Sequence, residues 1–201
     1  MKKALAIVAL VAAMFVAGNV QAQSIIYATY APETFVAGSN NSNYQGFSVG
    51  FSQNFGVAKG IGVAAGAQFR MNTRSTTQTL LGITGKTNET QTIIDVPILF
   101  NYEIDINRDL AIIPFAGPMP SLALTGVTKG ADPIFGENSV NWYGDNSTRS
   151  RFNLYVVFGA DVKFNQFNLF GGYRLGLLDL NTSDNATLKT NGLFVGIGYR
   201  L

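Results

Sequence analysis

Residues 93–106 read IIDVPILFNYEIDI, and the two faces of this stretch govern the reading of the whole chain. The even positions are Ile94, Val96, Ile98, Phe100, Tyr102, Ile104 and Ile106. The odd positions are Ile93, Asp95, Pro97, Leu99, Asn101, Glu103 and Asp105. A strand sends successive side chains to opposite faces, so this one has an unbroken apolar face. The opposite face carries three carboxylates and an amide. A half-buried strand of a soluble protein has this pattern, and so does a strand with lipid outside and a polar lumen inside.

The N-terminus bears on that choice. Met1-Lys2-Lys3 precedes an uncharged run from Ala4 to Gly18 and then Asn19-Val20-Gln21-Ala22. A basic start, a short apolar run and a small-x-Ala end predict a signal peptide over 1–22 and a mature domain over 23–201. The apolar run is shorter than the roughly 20 residues a membrane-spanning helix needs. Cysteine is absent, which excludes a lipoprotein anchor and a disulfide framework. Without Lys2 and Lys3 the chain carries twelve basic and twelve acidic residues, and no basic patch argues for nucleic acid. Charged residues make up 13% of the chain, about half the share usual in soluble domains. Such a chain would cover a wet surface poorly and a lipid-facing one well.

Gly- and Asn-rich clusters divide the rest into segments of strand length. Ser24 to Val36 alternates poorly and contains Pro32. Tyr44 to Phe55, Ile61 to Met71, Arg151 to Phe164 and Thr190 to Leu201 alternate cleanly. Leu110 to Val127 contains Pro114, Pro118 and Pro120, and Phe167 to Leu180 completes a set of eight with the opening stretch. Polar loops are expected at about 73–90, 128–150 and 181–189. Three tight turns, near residues 57, 108 and 165, alternate with the polar and mostly longer connections. The predicted fold is all-β: an eight-stranded antiparallel up-and-down transmembrane β-barrel, with the tight turns and both termini on its periplasmic side. Phe55, Tyr102, Phe164, Phe167 and Tyr199 all fall on the lipid face beside those turns, as a periplasmic aromatic girdle would. A soluble lipocalin-like barrel would have to turn Gly-rich faces with little charge toward water.

The chain also resembles the outer-membrane β-barrel protein family of Bacteroidota, porin-family barrels similar in architecture to small OmpA- and OmpX-like barrels. IIDVPILFNYEI at 93–104, PFAGPMPSLAL at 114–124, GGYRLGLLDL at 171–180 and GLFVGIGYRL at 192–201 carry the resemblance, in that order. It departs from that pattern at its end, where Leu201 stands in place of a terminal Phe and Tyr199 lies two residues before it. The resemblance implies residence in the cell outer membrane, with outer-membrane lipid as the first partner.

Histidine is absent, so a His base activating Ser or water is excluded, and Cys nucleophiles and Cys/His metal sites are excluded with it. Glu33, Asp95, Glu103 and Asp161 are the carboxylates left for an inward-facing acidic site. No loop has EF-hand spacing for Ca²⁺. The expectation is therefore no enzyme, cofactor or metal. Predicted lumen positions include Arg70, Arg151, Lys163, Arg174 and Arg200, with Asp95, Glu103, Asp105 and Asp161. Opposite charges at matching heights predict ion pairs that plug a lumen barely wide enough for its own side chains. The expected role is structural or interactive: envelope integrity, adhesion or secretion-system support. The alternatives are a narrow channel for small solutes and, more remotely, a soluble periplasmic ligand-binding barrel. Trp142-Tyr143 is read as an anchor at the outer interface, and the 128–149 loop as a site for an envelope or surface protein. The chain is read as a monomer.

Overall fold

The computed structural model describes residues 22–80, 83–132, 136–144, 147–183 and 187–201. The expected signal sequence thus lies almost wholly outside the described residues. Ala22 opens the first strand. The strands are β1 (Ala22–Tyr30), β2 (Glu33–Ala37), β3 (Asn40–Ala58), β4 (Ile61–Leu80), β5 (Ile83–Asp95) and β6 (Ile98–Tyr102). They continue as β7 (Ile104–Asp105), β8 (Leu110–Asp132), β9 (Gly136–Asn141), β10 (Phe152–Phe164), β11 (Phe167–Gly176) and β12 (Leu188–Arg200).

All described pairings are antiparallel and form one sheet that closes on itself. β1 and β2 both pair with β3 and β12, so together they make one barrel strand broken at Ala31-Pro32. β5, β6 and β7 likewise make one strand, broken at Val96-Pro97 and at Glu103. The ring therefore has eight strands, and Ile25↔Arg200 through Tyr30↔Val195 join its first strand to its last. Closure is what a bilayer demands, because an open edge would leave backbone N–H and C=O groups unpaired in hydrocarbon. Tight turns at Lys59-Gly60, Asn107 to Asp109 and Asn165-Gln166 lie at the same end as Ala22, the first described residue, which pairs with Phe55, and Leu201, whose N donates to Ser24 O.

Alternation holds on the outer surface. Phe47, Val49, Phe69, Phe100, Phe158, Leu193 and Ile197 are exposed, while Ser48, Arg70, Asp95, Val157 and Asn168 between them are buried. On β4 the outward positions run apolar from Ile61 to Met71 and then change to Thr73, Ser75, Thr77 and Thr79. Ten residue steps at about 3.3 Å, tilted by about 40°, span about 25 Å, the height of an outer-membrane apolar band.

Where the structure departs from the sequence reading, strands replace loops. The polar stretch 73–90 is strand up to Leu80 and again from Ile83, paired from Thr73↔Thr90 to Leu80↔Ile83. The loop expected at 128–150 contains the end of β8 and all of β9, paired from Val127↔Asn141 to Asp132↔Gly136. Threonine is β-branched and favours strands whether or not its face is buried, so polarity here marks water outside and not a loop. β11 also ends at Gly176, short of Leu180.

If the Ile/Val/Phe face meets lipid, charge at mid-height is costly. Phe158→Arg, at the centre of β10, should lower the unfolding free energy in lipid by about 2–4 kcal/mol, and Ile106→Arg beside a turn by at most about 1. Urea titrations in phospholipid vesicles read both, and equal costs at the two sites would contradict the placement.

Candidate functional site

The breaks in the first and fourth barrel strands position the charged core. Pro32 has no N–H, so the ladder stops there, and Ala31 N donates to Gly46 O instead. Both neighbouring strands offer glycine at this point: a Cβ on Gly46 would lie 2.1 Å from Ala31 O, and one on Gly192 would lie 2.2 Å from Pro32 O. Bare backbone on either side lets the bent segment sit close. The carbonyl groups released by the break find a donor inside the barrel, where Arg174 Nη2 reaches Ala31 O at 2.7 Å. Glu33, the next residue, enters the lumen fully buried.

Arg70 meets two carboxylates there. Its Nη1 donates to Glu33 Oε2 at 2.5 Å, its Nε to Asp95 Oδ2 at 2.8 Å and its Nη2 to Asp95 Oδ1 at 3.1 Å. None of the three side chains has any exposed surface. Glu33 also accepts from Tyr155 at 2.5 Å and from Asn72 Nδ2, and Arg174 Nη2 stands 3.9 Å from it. Asp95 accepts from Ser121 at 2.5 Å and Gln68 at 2.8 Å. Two cations and two anions thus lie together, with most of their remaining valences filled by neutral donors, as buried charges require.

Above this layer, toward the outer end, Phe35, Tyr44, Ile93, Ala123, Trp142, Tyr143 and Leu180 form an apolar cluster. Arg149 lies 4.2 Å from the Trp142 ring and Arg151 lies 4.8 Å from the Tyr143 ring. The reading of Trp142-Tyr143 as an interfacial anchor is therefore corrected: both rings fold into the barrel mouth, with Tyr143 OH accepting from Gln91 at 2.6 Å. At the end with the tight turns Lys163 pairs with Glu103 at 2.6 Å. Arg200 Nε donates to Asn168 Oδ1 at 2.9 Å, and Asn168 Nδ2 donates to Asp161.

The structure brings Arg70, Asp95 and Arg174 into one layer and Glu103, Asp161, Lys163 and Arg200 into another. Two expected members lie elsewhere. Asp105 is exposed on the short β7 at the rim, where the strand is ending. Arg151 is exposed and donates to Leu124 O at 2.7 Å and to Tyr143 O at 3.2 Å, backbone carbonyls of the barrel mouth. Glu33 was absent from the predicted ion-pair set. Its signal was the odd-position series Ile25, Tyr27, Thr29, Ala31, Glu33, Phe35, which keeps its parity across Pro32. Tyr102, Phe164, Phe167 and Tyr199 are exposed and Phe55 half-exposed at the turn end, with Phe167 and Tyr199 in edge contact at 5.5 Å.

A closed barrel with an apolar exterior and a charged interior defines an integral membrane protein of the outer-membrane type. The model of the outer membrane protein beta-barrel domain family matches residues 15–181, and the chain belongs to that family. It resides in the cell outer membrane, which removes the soluble periplasmic alternative. Curated protein sequences give no significant match. Among solved structures the chain is similar to Ail, the attachment invasion locus protein of Yersinia pestis, at 21% identity over 90% of this chain and 99% of that one, with TM-score 0.48. Neisserial surface protein A matches at 13% identity over 89% and 97%, with TM-score 0.47. The outer membrane enzyme PagL matches at 11% identity over 84% and 97%, with TM-score 0.40.

Removing Arg70 would strand two buried carboxylates. Arg70→Leu should cost about 3–5 kcal/mol of unfolding free energy, and the double variant with Asp95→Asn, which leaves Glu33 balanced by Arg174, should recover most of it. Urea unfolding in vesicles measures the cycle. A loss below 1 kcal/mol for Arg70→Leu would show that the pairs carry little.

Proposed function

We propose that this protein is a non-enzymatic outer-membrane scaffold whose lumen does not conduct and whose surface carries its contacts with other proteins. The observation that carries the reading is the Glu33–Arg70–Asp95 layer, whose side chains have no exposed surface. A conducting path would need water beside those charges, and the aromatic cluster above them would need to part. The same contacts speak against hydrolysis, because the buried carboxylates are held by Arg70, Ser121, Tyr155 and Gln68. The full set of lumen pairs acts as a plug, and the turn-side aromatics act as its interfacial girdle.

The surface offers a specific means of interaction. Beyond the apolar band, β4, β5, β8 and β9 continue as a sheet above the barrel. β4 pairs with β3 only as far as Thr73, and β9 pairs only with β8 among the described strands. Among the described residues, positions 74–78 and 136–141 therefore pair in the sheet on one side only, as edges that can take a further strand. A surface or envelope protein docking on the 128–149 segment would serve adhesion, envelope integrity or secretion-system support. In this reading 1–22 is a cleaved export signal, 23–201 is the barrel domain, the molecule is a monomer, and its origin is in the Bacteroidota.

Purified barrel in planar bilayers should give no unitary currents, and liposomes carrying it should swell no faster in small sugars than empty ones. Steady single-channel steps altered by Arg70 or Arg174 substitution would overturn the closed-lumen reading. The surface half of the proposal has its own check. Envelope partners that co-purify in detergent should be lost when 136–141 is deleted or Ser139→Pro blocks the edge, while heat-shifted gel mobility stays unchanged. Partners retained by both variants would place the contact elsewhere.

A further inference from the structure

Between the two charge layers the lumen contains a cavity of about 140 Å³ with predominantly apolar walls. Tyr27, Leu99, Phe115, Val157 and Phe194 line its middle, Arg174 and Gln68 its upper end, and Asp161, Asn168 and Arg200 its lower end. We propose that this cavity binds a small, uncharged molecule about the size of one aromatic ring that carries a hydrogen-bond acceptor. The inference rests on the barrel fold and not on what the surface sheet contacts.

Size and polarity set the body of the ligand. A buried apolar cavity of about 150 Å³ is sufficient to hold a benzene-sized guest. The unpaired polar groups set its functional group. Among the described residues, buried side-chain atoms without a hydrogen-bond partner are Asn72 Oδ1, Asp161 Oδ1 and Arg174 Nε. Two of the three residues line this cavity, one at each end. Arg174 is only 2% exposed, its Nη2 is committed to Ala31 O, and its buried Nε–H has no partner and is offered to a guest. Asp161 Oδ1 can accept from a hydroxyl at the other end. Buried polar groups normally find partners, so a ligand supplying both would satisfy the two atoms together.

Charge balance sets the requirement for neutrality. Arg70 and Arg174 stand against Glu33 and Asp95 above, and Lys163 and Arg200 against Glu103 and Asp161 below. An ionised guest would add an uncompensated charge where water is scarce. Burial also gives the cavity a direction. The Arg70–Glu33 pair has no exposed surface, whereas the side chains of Lys163 and Glu103 are 22% and 24% exposed. A guest reaches the cavity from the periplasmic end.

The test is a titration of the full barrel in lipid nanodiscs with 4-fluoroacetophenone, followed by fluorine NMR, with fluorobenzene as the analogue lacking an acceptor. A saturable bound signal at one equivalent is expected, and it should vanish in Ala64→Phe, which fills the cavity. Arg174→Lys keeps the charge but removes Nε–H, so it should weaken the ketone at least tenfold and leave fluorobenzene within about twofold. A signal that grows linearly with added ligand and is unchanged by Ala64→Phe would be lipid partitioning and would overturn the proposal. Equal weakening of both probes by Arg174→Lys would overturn the assigned acceptor. Should Ala64→Phe lose its heat-shifted gel mobility, Val157→Phe fills the same space, and the Arg174→Lys contrast stands without either.

Discussion

One guanidinium holds this barrel's interior together. Arg70 is fully buried and donates to both Glu33 and Asp95, on barrel strands that flank it or lie one further round the ring. Its strand, β4, pairs with β5 on one side and β3 on the other, so the contacts to Asp95 and Glu33 run along the lumen wall to either side of it. Arginine suits this position because its planar fork binds one carboxylate with two nitrogens and leaves a third for another. Lysine, a point charge on a flexible stem, could not hold both in fixed directions. Such a cluster gains little free energy over an apolar filling of the same shape. What it does is fix register, since any slip by one residue would turn Arg70 into lipid and a Phe or Met into the lumen.

The two proline breaks belong to the same arrangement. Pro32 and Pro97 each remove a ladder donor, and the chain bends where the carboxylates must turn inward. Arg174 meets the carbonyl of Ala31 at one break. At the other, Val96 N donates to Pro120 O and Gly66 N donates to Pro97 O, so the neighbouring strands absorb the interruption. A break in a membrane strand is tolerable only when its freed groups are satisfied within the protein. Here a lumen side chain supplies that satisfaction at one break and the neighbouring strands supply it at the other.

Much of this was legible from residue alternation alone. Period-two patterning gave the strand number, the closing geometry and the lipid face, because lipid imposes the same requirement on every outward position. The pairing of Arg70 with Asp95 was legible to the extent that both fall on inward positions of adjacent strands. Glu33 was legible as an inward carboxylate on Ser24 to Val36 but not as a partner of Arg70, because that run alternates poorly around Pro32 and nothing local sets its height against a strand two places round the ring. The strands beyond the membrane were misread for a different reason. Thr73 to Thr79 and Thr84 to Thr90 carry no apolar side chain, and without an apolar face alternation has nothing to report. Trp142 illustrates the limit of reading an aromatic by type: a Trp in a polar loop fits an interfacial belt, but Gly126 leaves room for its ring inside the mouth.

The vertical order of the lumen carries a further consequence. From the cell surface inward it runs aromatic cluster, balanced charge layer, apolar cavity and second charge layer. A plug meant only to block passage could be charged throughout, and a core meant only for stability could be apolar throughout. Alternating the two places the completely water-excluded layer nearest the outside and leaves the partly exposed Lys163–Glu103 pair nearest the periplasm. With the tight turns in the periplasm, as proposed, anything small enough to enter does so from the cell's own side, while the surface is left to strands. The sealed outer half and the accommodating inner half follow from a single choice, that Arg70 and its two carboxylates sit above the middle of the barrel and not below it.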